Sequence, residues 1–144
     1  MSSRPSAPSD RPPISGIRHL PPLGDMGAVL AGGLVGSAAR AGIGIWLPAT
    51  TGGCPTATLL VNLAGSLLIG TYLTRREQSV TMRRSLQFWA FGALGSFTTF
   101  SAFSLEVVRL IEQDRVMVAG GYVAASTIGG LVAALIGQRV ARAR

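Results

Sequence analysis

Four stretches of this chain, each near twenty residues long, carry almost no charge, and they constrain the fold more than any other feature. They run Met26 to Leu47, Thr56 to Thr74, Ser85 to Leu105 and Val116 to Gln138, and Arg40 is the sole charge inside them. A helix needs about 20 apolar residues to cross roughly 30 Å of hydrocarbon. In lipid every backbone polar group must be satisfied within the spanning structure. The expectation is therefore an all-α membrane protein with four transmembrane helices. Composition agrees, at 48% hydrophobic and 13% charged residues, the latter about half the usual soluble share. That much apolar surface excludes disorder for most of the chain. Pro48, Gly52, Gly53 and Pro55 make a turn cluster; Arg75 to Arg84 and Glu112 to Arg115 make polar breaks.

Residues 1–24 differ in character from the rest of the chain. They hold six of the eight prolines, with serine and arginine between them and no apolar core of a signal peptide. They read as a disordered extension, in front of a membrane domain at 25–138 and a short basic tail at 139–144.

The net charge of +7 comes from thirteen arginines and no lysine. Such an excess first suggests nucleic acid. These arginines, however, flank the apolar runs, as membrane-topology signals do, and nucleic-acid binding is not the reading adopted. Four spans put both termini on one side. Ten arginines fall there: Arg4, Arg11, Arg18, Arg75, Arg76, Arg83, Arg84, Arg139, Arg142 and Arg144. Only Arg109 and Arg115 fall opposite, so the positive-inside rule places the termini in the cytoplasm. The lone Cys54 has no intramolecular partner, and with His19 it reads as incidental.

Glycines supply close helix packing in lipid: Gly32 and Gly36, Gly65 and Gly70, Gly120 and Gly121, Gly129 and Gly130. The third span is different. Residues 92–106, GALGSFTTFSAFSLE, combine glycine, hydroxyls and three of the chain's five phenylalanines. Glycine and adjacent threonines lower helix propensity, and a mid-membrane break exposes carbonyls that suit a hard cation. An unbroken helix with hydroxyls bonded to the preceding turn is the alternative. Phe100 and Phe103 share a helical face. That spacing favours packing, although ring edges turned inward attract an anion.

Asn62 is an amide in mid-span, with Thr58 one turn earlier, and reads as interhelical glue or as a pore-lining donor. Arg40 and Glu106 each stand alone near a span and either snorkel to the interface or pair together. Tyr122 and Ser126 put two hydroxyls at i and i+4 on the fourth helix.

Three pieces together carry a resemblance: Gly33-Leu-Val-Gly36-Ser-Ala-Ala-Arg40, Thr58-Leu-Leu-Val-Asn62-Leu-Ala-Gly65, and Gly95-Ser-Phe-Thr98-Thr99-Phe100-Ser101-Ala-Phe103-Ser104-Leu-Glu106. The chain resembles the Fluc (CrcB) fluoride channels, over about residues 26–138. The resemblance implies an antiparallel dual-topology dimer with two pores, a third helix broken near its middle, and passive fluoride export across the cell membrane. It implies a structural Na⁺ at the dimer interface on the carbonyls of Gly95 and Thr98. Phe100 and Phe103 would meet fluoride with their edges, Asn62 would donate along the path, and Arg40 would stand at a vestibule. Thr58, Ser101, Tyr122 and Ser126 would complete a polar track, with Glu106 a further charge at a helix end. No reaction is implied, so the chain is not expected to be an enzyme.

Two positions depart from the family pattern: Ala41 where an aromatic is frequent, and Ser96 where glycine is common. The arginine bias opposes insertion in both orientations, so a heterodimer with an inverted paralogue is a further expectation. A proton-coupled four-span exporter is the competing function, but it needs an acid within a span, and Glu106 near the end of the third is the one candidate. A noncatalytic assembly subunit is the other.

Overall fold

The computed structural model describes residues 23–47, 53–77 and 83–143. Within them the chain is helical, with no strand. α1 spans Leu23–Trp46 and α2 spans Thr56–Glu77. The third crossing is assembled from pieces: α3, Arg83–Leu86; a π-helical segment, Gln87–Leu94; α4, Gly95–Phe97; and α5, Phe100–Glu112. α6, Val116–Arg142, completes four segments long and apolar enough to cross a membrane.

Helix ends differ from the sequence expectation by a few residues, for physical reasons. α1 begins at Leu23 and carries Asp25 in its first turn, where a carboxylate suits the positive end of the helix dipole. α2 continues through Glu77, beyond the apolar run. α6 passes Gln138 to Arg142, so Arg139 and Arg142 form its last turn at the negative end of the dipole. The α5–α6 turn is tight: Arg115 N donates to Leu110 O at 2.9 Å, and Asp114 takes φ 56°, a left-handed conformation that aspartate tolerates. The proline-rich stretch before α1 lies outside the described residues.

Two helix pairs approach closely, and glycine permits both. α1 packs on the π segment, where a Cβ on Gly32 would overlap Phe88 O and one on Gly36 would overlap Ala93 O. From the facing side, a Cβ on Gly92 would sit 2.6 Å from Val29 O. α2 packs on α6 in the same way, Gly70 against Ala134 O and Gly137 against Leu67 O. A Cβ on Gly120 or Gly121 would meet nothing within 4 Å among the described residues. A π-helix is rare and frequently marks a functional site; here it leads directly into an interruption of the third crossing.

The α1 contact gives a direct test. In Gly36→Ala the new methyl meets backbone, which has no rotamer to escape into, and overpacking of this kind costs about 1–3 kcal/mol. Gly27 has open space at its Cβ. Thermal unfolding in detergent is expected to show a lower Tm for Gly36→Ala and an unchanged or higher one for Gly27→Ala.

Candidate functional site

Between α4 and α5 the backbone leaves the helix for two residues. Thr98 has φ −76° and ψ 154°, and Thr99 has φ −147° and ψ 122°. Both are β-branched, which favours this extended geometry over a helix. Thr98 closes the preceding turn twice, since its N–H and its hydroxyl both donate to Leu94 O at 3.1 Å. Thr99 opens the next helix as its N-cap, with Oγ1 accepting from Ala102 N at 3.2 Å.

An extended peptide at membrane depth needs partners, and Asn62 on α2 supplies both. Its Nδ2 donates to Thr99 O at 3.1 Å, and its Oδ1 accepts from Thr99 N at 2.9 Å. The side chain thereby imitates a neighbouring strand for one residue. Interhelical glue is thus visibly one of the jobs of Asn62; its second amide proton is not used by this pair.

This pairing has a consequence for the carbonyls. In a continuous helix Thr99 N–H would return to Gly95 O, and Ala102 N–H to Thr98 O. The first is engaged by Asn62 and the second by Thr99 Oγ1. Gly95 and Thr98 thus lose their ordinary helical donors, and two neutral, hard oxygens of the kind that suits an alkali cation are left at the break. The described residues hold no cluster of three or more His, Cys, Asp or Glu. Arg40 reaches the same break from α1, where its Nε donates to Ser96 O at 3.3 Å.

A cavity of about 370 Å³ opens on one side of the break, and Asn62, Gly95, Thr98, Phe100, Phe103 and Ser126 are among its walls. Ser126 Oγ is buried there with no hydrogen-bond partner. Phe100 and Phe103 stand 5.8 Å apart at 40°. Phe103 packs against Tyr122 at 5.3 Å, while Phe100 is 80% exposed and projects from the chain. A second cavity of about 200 Å³ is lined by Arg40, Thr58, Thr99 and Ala102 among others. Thr99 borders both.

Glu106 bonds to two hydroxyls rather than to Arg40. Thr58 Oγ1 donates to its Oε1 at 2.7 Å and Tyr122 OH to its Oε2 at 2.6 Å. Tyr122, 1% exposed, therefore joins α6 to α5, whereas Ser126 one turn on lines the cavity. Ser101 Oγ stays local, 3.2 Å from Thr99 Oγ1. Sequence reasoning treated Gly65 only as packing, yet it lines the cavity against Thr98. The available signal was its position three residues after Asn62, on the same helical face.

The family described as CrcB-like protein, Camphor Resistance (CrcB), matches residues 27–138. The chain belongs to the CrcB family. It is 44% identical over 118 residues to a protein of Pseudomonas fluorescens named fluoride-specific ion channel FluC, covering 76% of this chain and 90% of that one. A relative from Nocardia farcinica, fluoride-specific ion channel FluC 2, is 36% identical over 138 residues, 95% of this chain and 94% of its own length. A FluC of Oceanobacillus iheyensis is 38% identical over 117 residues, 78% of this chain and 88% of its own. This CrcB chain is thus a multi-pass membrane protein, and its interrupted third crossing is consistent with the break that the sequence resemblance implied.

Replacing Asn62 by leucine would leave both Thr99 backbone groups without their partner. The expected cost is about 2–4 kcal/mol from two unsatisfied, partly buried groups. Amide exchange at Thr99 should speed up more than at Ala102, whose N–H keeps its bond to Thr99 Oγ1; equal rates in Asn62→Leu and the parent would contradict the pairing.

Proposed function

We propose that this CrcB chain is a fluoride-selective ion channel that lowers cytoplasmic fluoride by passive export across the cell membrane. The observation that carries the reading is the cavity at the break, walled by Asn62, Phe100, Phe103 and Ser126, in a family whose curated relatives are named for fluoride conduction. Fluoride entering such a site gives up water and needs replacement donors. The partnerless Ser126 hydroxyl and the second Asn62 amide proton are such donors, and the positive edges of phenyl rings add weaker attraction. The Thr58, Tyr122 and Ser101 hydroxyls are the further members of the proposed polar track; Thr58 borders the smaller cavity, and Thr58 and Tyr122 donate to Glu106. Arg40, on the smaller cavity, supplies positive charge at a vestibule.

Gly95 and Thr98 carbonyls would hold a structural Na⁺, whose charge offsets the lone pairs gathered at the break. The pore is completed by a second subunit in antiparallel orientation. Phe100, exposed on a single chain, is the residue such a partner would cover. The ten arginines against two support cytoplasmic termini and, with them, a heterodimer with an inverted paralogue. A proton-coupled exporter fits less well, because both oxygens of Glu106 are already occupied by hydroxyl donors.

Reconstitution in liposomes tests this. Fluoride efflux is expected to exceed chloride efflux, and Ser126→Ala or Phe100→Ile should slow it about tenfold, the equivalent of roughly 1.4 kcal/mol. An assembly subunit predicts altered stability with no ion flux. Robust efflux from this polypeptide alone would overturn the obligatory heterodimer and leave the channel reading in place.

A further inference from the structure

We propose that Gly65 is a positioning residue for the break: the space left by its missing side chain seats the Thr98 methyl and so fixes the direction of the Thr98 carbonyl.

Most tight glycines here make room for backbone. A Cβ on Gly32, Gly36, Gly70 or Gly137 would overlap a main-chain carbonyl oxygen of the facing helix. Gly65 differs. A Cβ there would overlap Thr98 Cγ2 and stand 3.4 Å from Phe97 Cδ1 and 3.7 Å from Thr98 Cβ. What occupies the glycine's space is one methyl group of one side chain.

That side chain has nowhere else to go. Thr98 Oγ1 is committed to Leu94 O at 3.1 Å, and threonine is stiff at χ1. With the hydroxyl so directed, the methyl is carried to α2 at Gly65. Thr98 is also the residue at which ψ leaves the helical range, reaching 154°. Its side chain is therefore held at two points while its own peptide turns. Asn62, three residues earlier on the same face of α2, holds the next peptide through Thr99 N and O. One face of α2 thus carries both halves of a template: an amide that pairs with Thr99 and a hollow that receives Thr98.

A methyl at position 65 must act in one of two ways. It rotates Thr98, breaking the hydroxyl bond to Leu94 O, or it separates α2 from α4 and draws Asn62 away from Thr99. Both displace the Thr98 carbonyl. Because the obstruction is a side-chain methyl, removing that methyl should restore the fit, and serine at position 98 does this while retaining the hydroxyl.

The inference rests on the cation role proposed for Thr98, and its test separates the two. The full chain, together with its inverted paralogue where the parent alone gives no efflux, is purified as Gly65→Ala, Thr98→Ser, the double variant Gly65→Ala/Thr98→Ser, and Gly70→Ala with and without Thr98→Ser. Thermal unfolding is followed across NaCl and KCl titrations, with fluoride efflux measured in parallel. Gly65→Ala is expected to raise the sodium concentration for half-maximal stabilisation, and to slow efflux, at least tenfold. The double variant should return to within about threefold of Thr98→Ser alone, while Gly70→Ala gains nothing from Thr98→Ser. If Gly65→Ala fails to fold, recovery of folded protein in the double variant supports the proposal and its absence overturns it. Wild-type behaviour from Gly65→Ala, or a double variant no better than Gly65→Ala, also overturns it. A parent protein indifferent to sodium would refute the cation role, whereas rescue of Tm by Thr98→Ser would still decide the positioning of Thr98 by Gly65.

Discussion

The pair of hydrogen bonds between the Asn62 amide and the Thr99 backbone is the interaction on which the rest of the site depends. An extended peptide in hydrocarbon is unfavourable by several kcal/mol unless both of its groups are bonded. Asn62 meets that need with one side chain, at 3.1 and 2.9 Å. The interruption then becomes a stable feature rather than a defect. Its position fixes which carbonyls lose their helical donors, where Phe100 starts the next helix, and that Thr99 borders both cavities.

The break is gripped from both neighbouring helices by different chemistry. α1 lies against the π segment through Gly32 and Gly36 and adds the Arg40 contact to Ser96 O. α2 contributes Asn62 and the hollow at Gly65, and is itself fastened to α6 through Gly70 and Gly137. Glu106 ties α5 to both α2 and α6, because it accepts from Thr58 and Tyr122 together. Small residues bring the backbones close, and the few polar side chains then fix register where apolar contact alone would let helices slide.

Much of this was legible in the sequence. Uncharged runs of membrane length gave four crossings, because hydrocarbon thickness sets helix length directly. The glycine, threonine and phenylalanine content of residues 92–106 marked the unusual segment, and Asn62 stood out as an amide in mid-span. Long-range pairing was not legible. Periodicity left open whether the third helix breaks, since adjacent threonines accommodate either state until a partner is known. It could not show that Asn62, thirty-seven residues away, was that partner. Isolation in sequence suggests snorkelling or mutual pairing for Arg40 and Glu106; each instead has neutral partners, at Ser96 O and at two hydroxyls. The hollow at Gly65 was hidden for a similar reason: a glycine in a membrane helix reads as packing until the atom opposite it is identified.

The most direct measurement is the backbone conformation of the third crossing in a bilayer. Solid-state NMR of the full chain, labelled at Phe97, Thr98, Thr99 and Ser101, reports each residue's conformation through its Cα and Cβ shifts. The account predicts extended-type shifts at Thr98 and Thr99 between helical shifts at Phe97 and Ser101. Helical shifts through all four residues would mean an unbroken helix, with no role for Asn62 in bridging it.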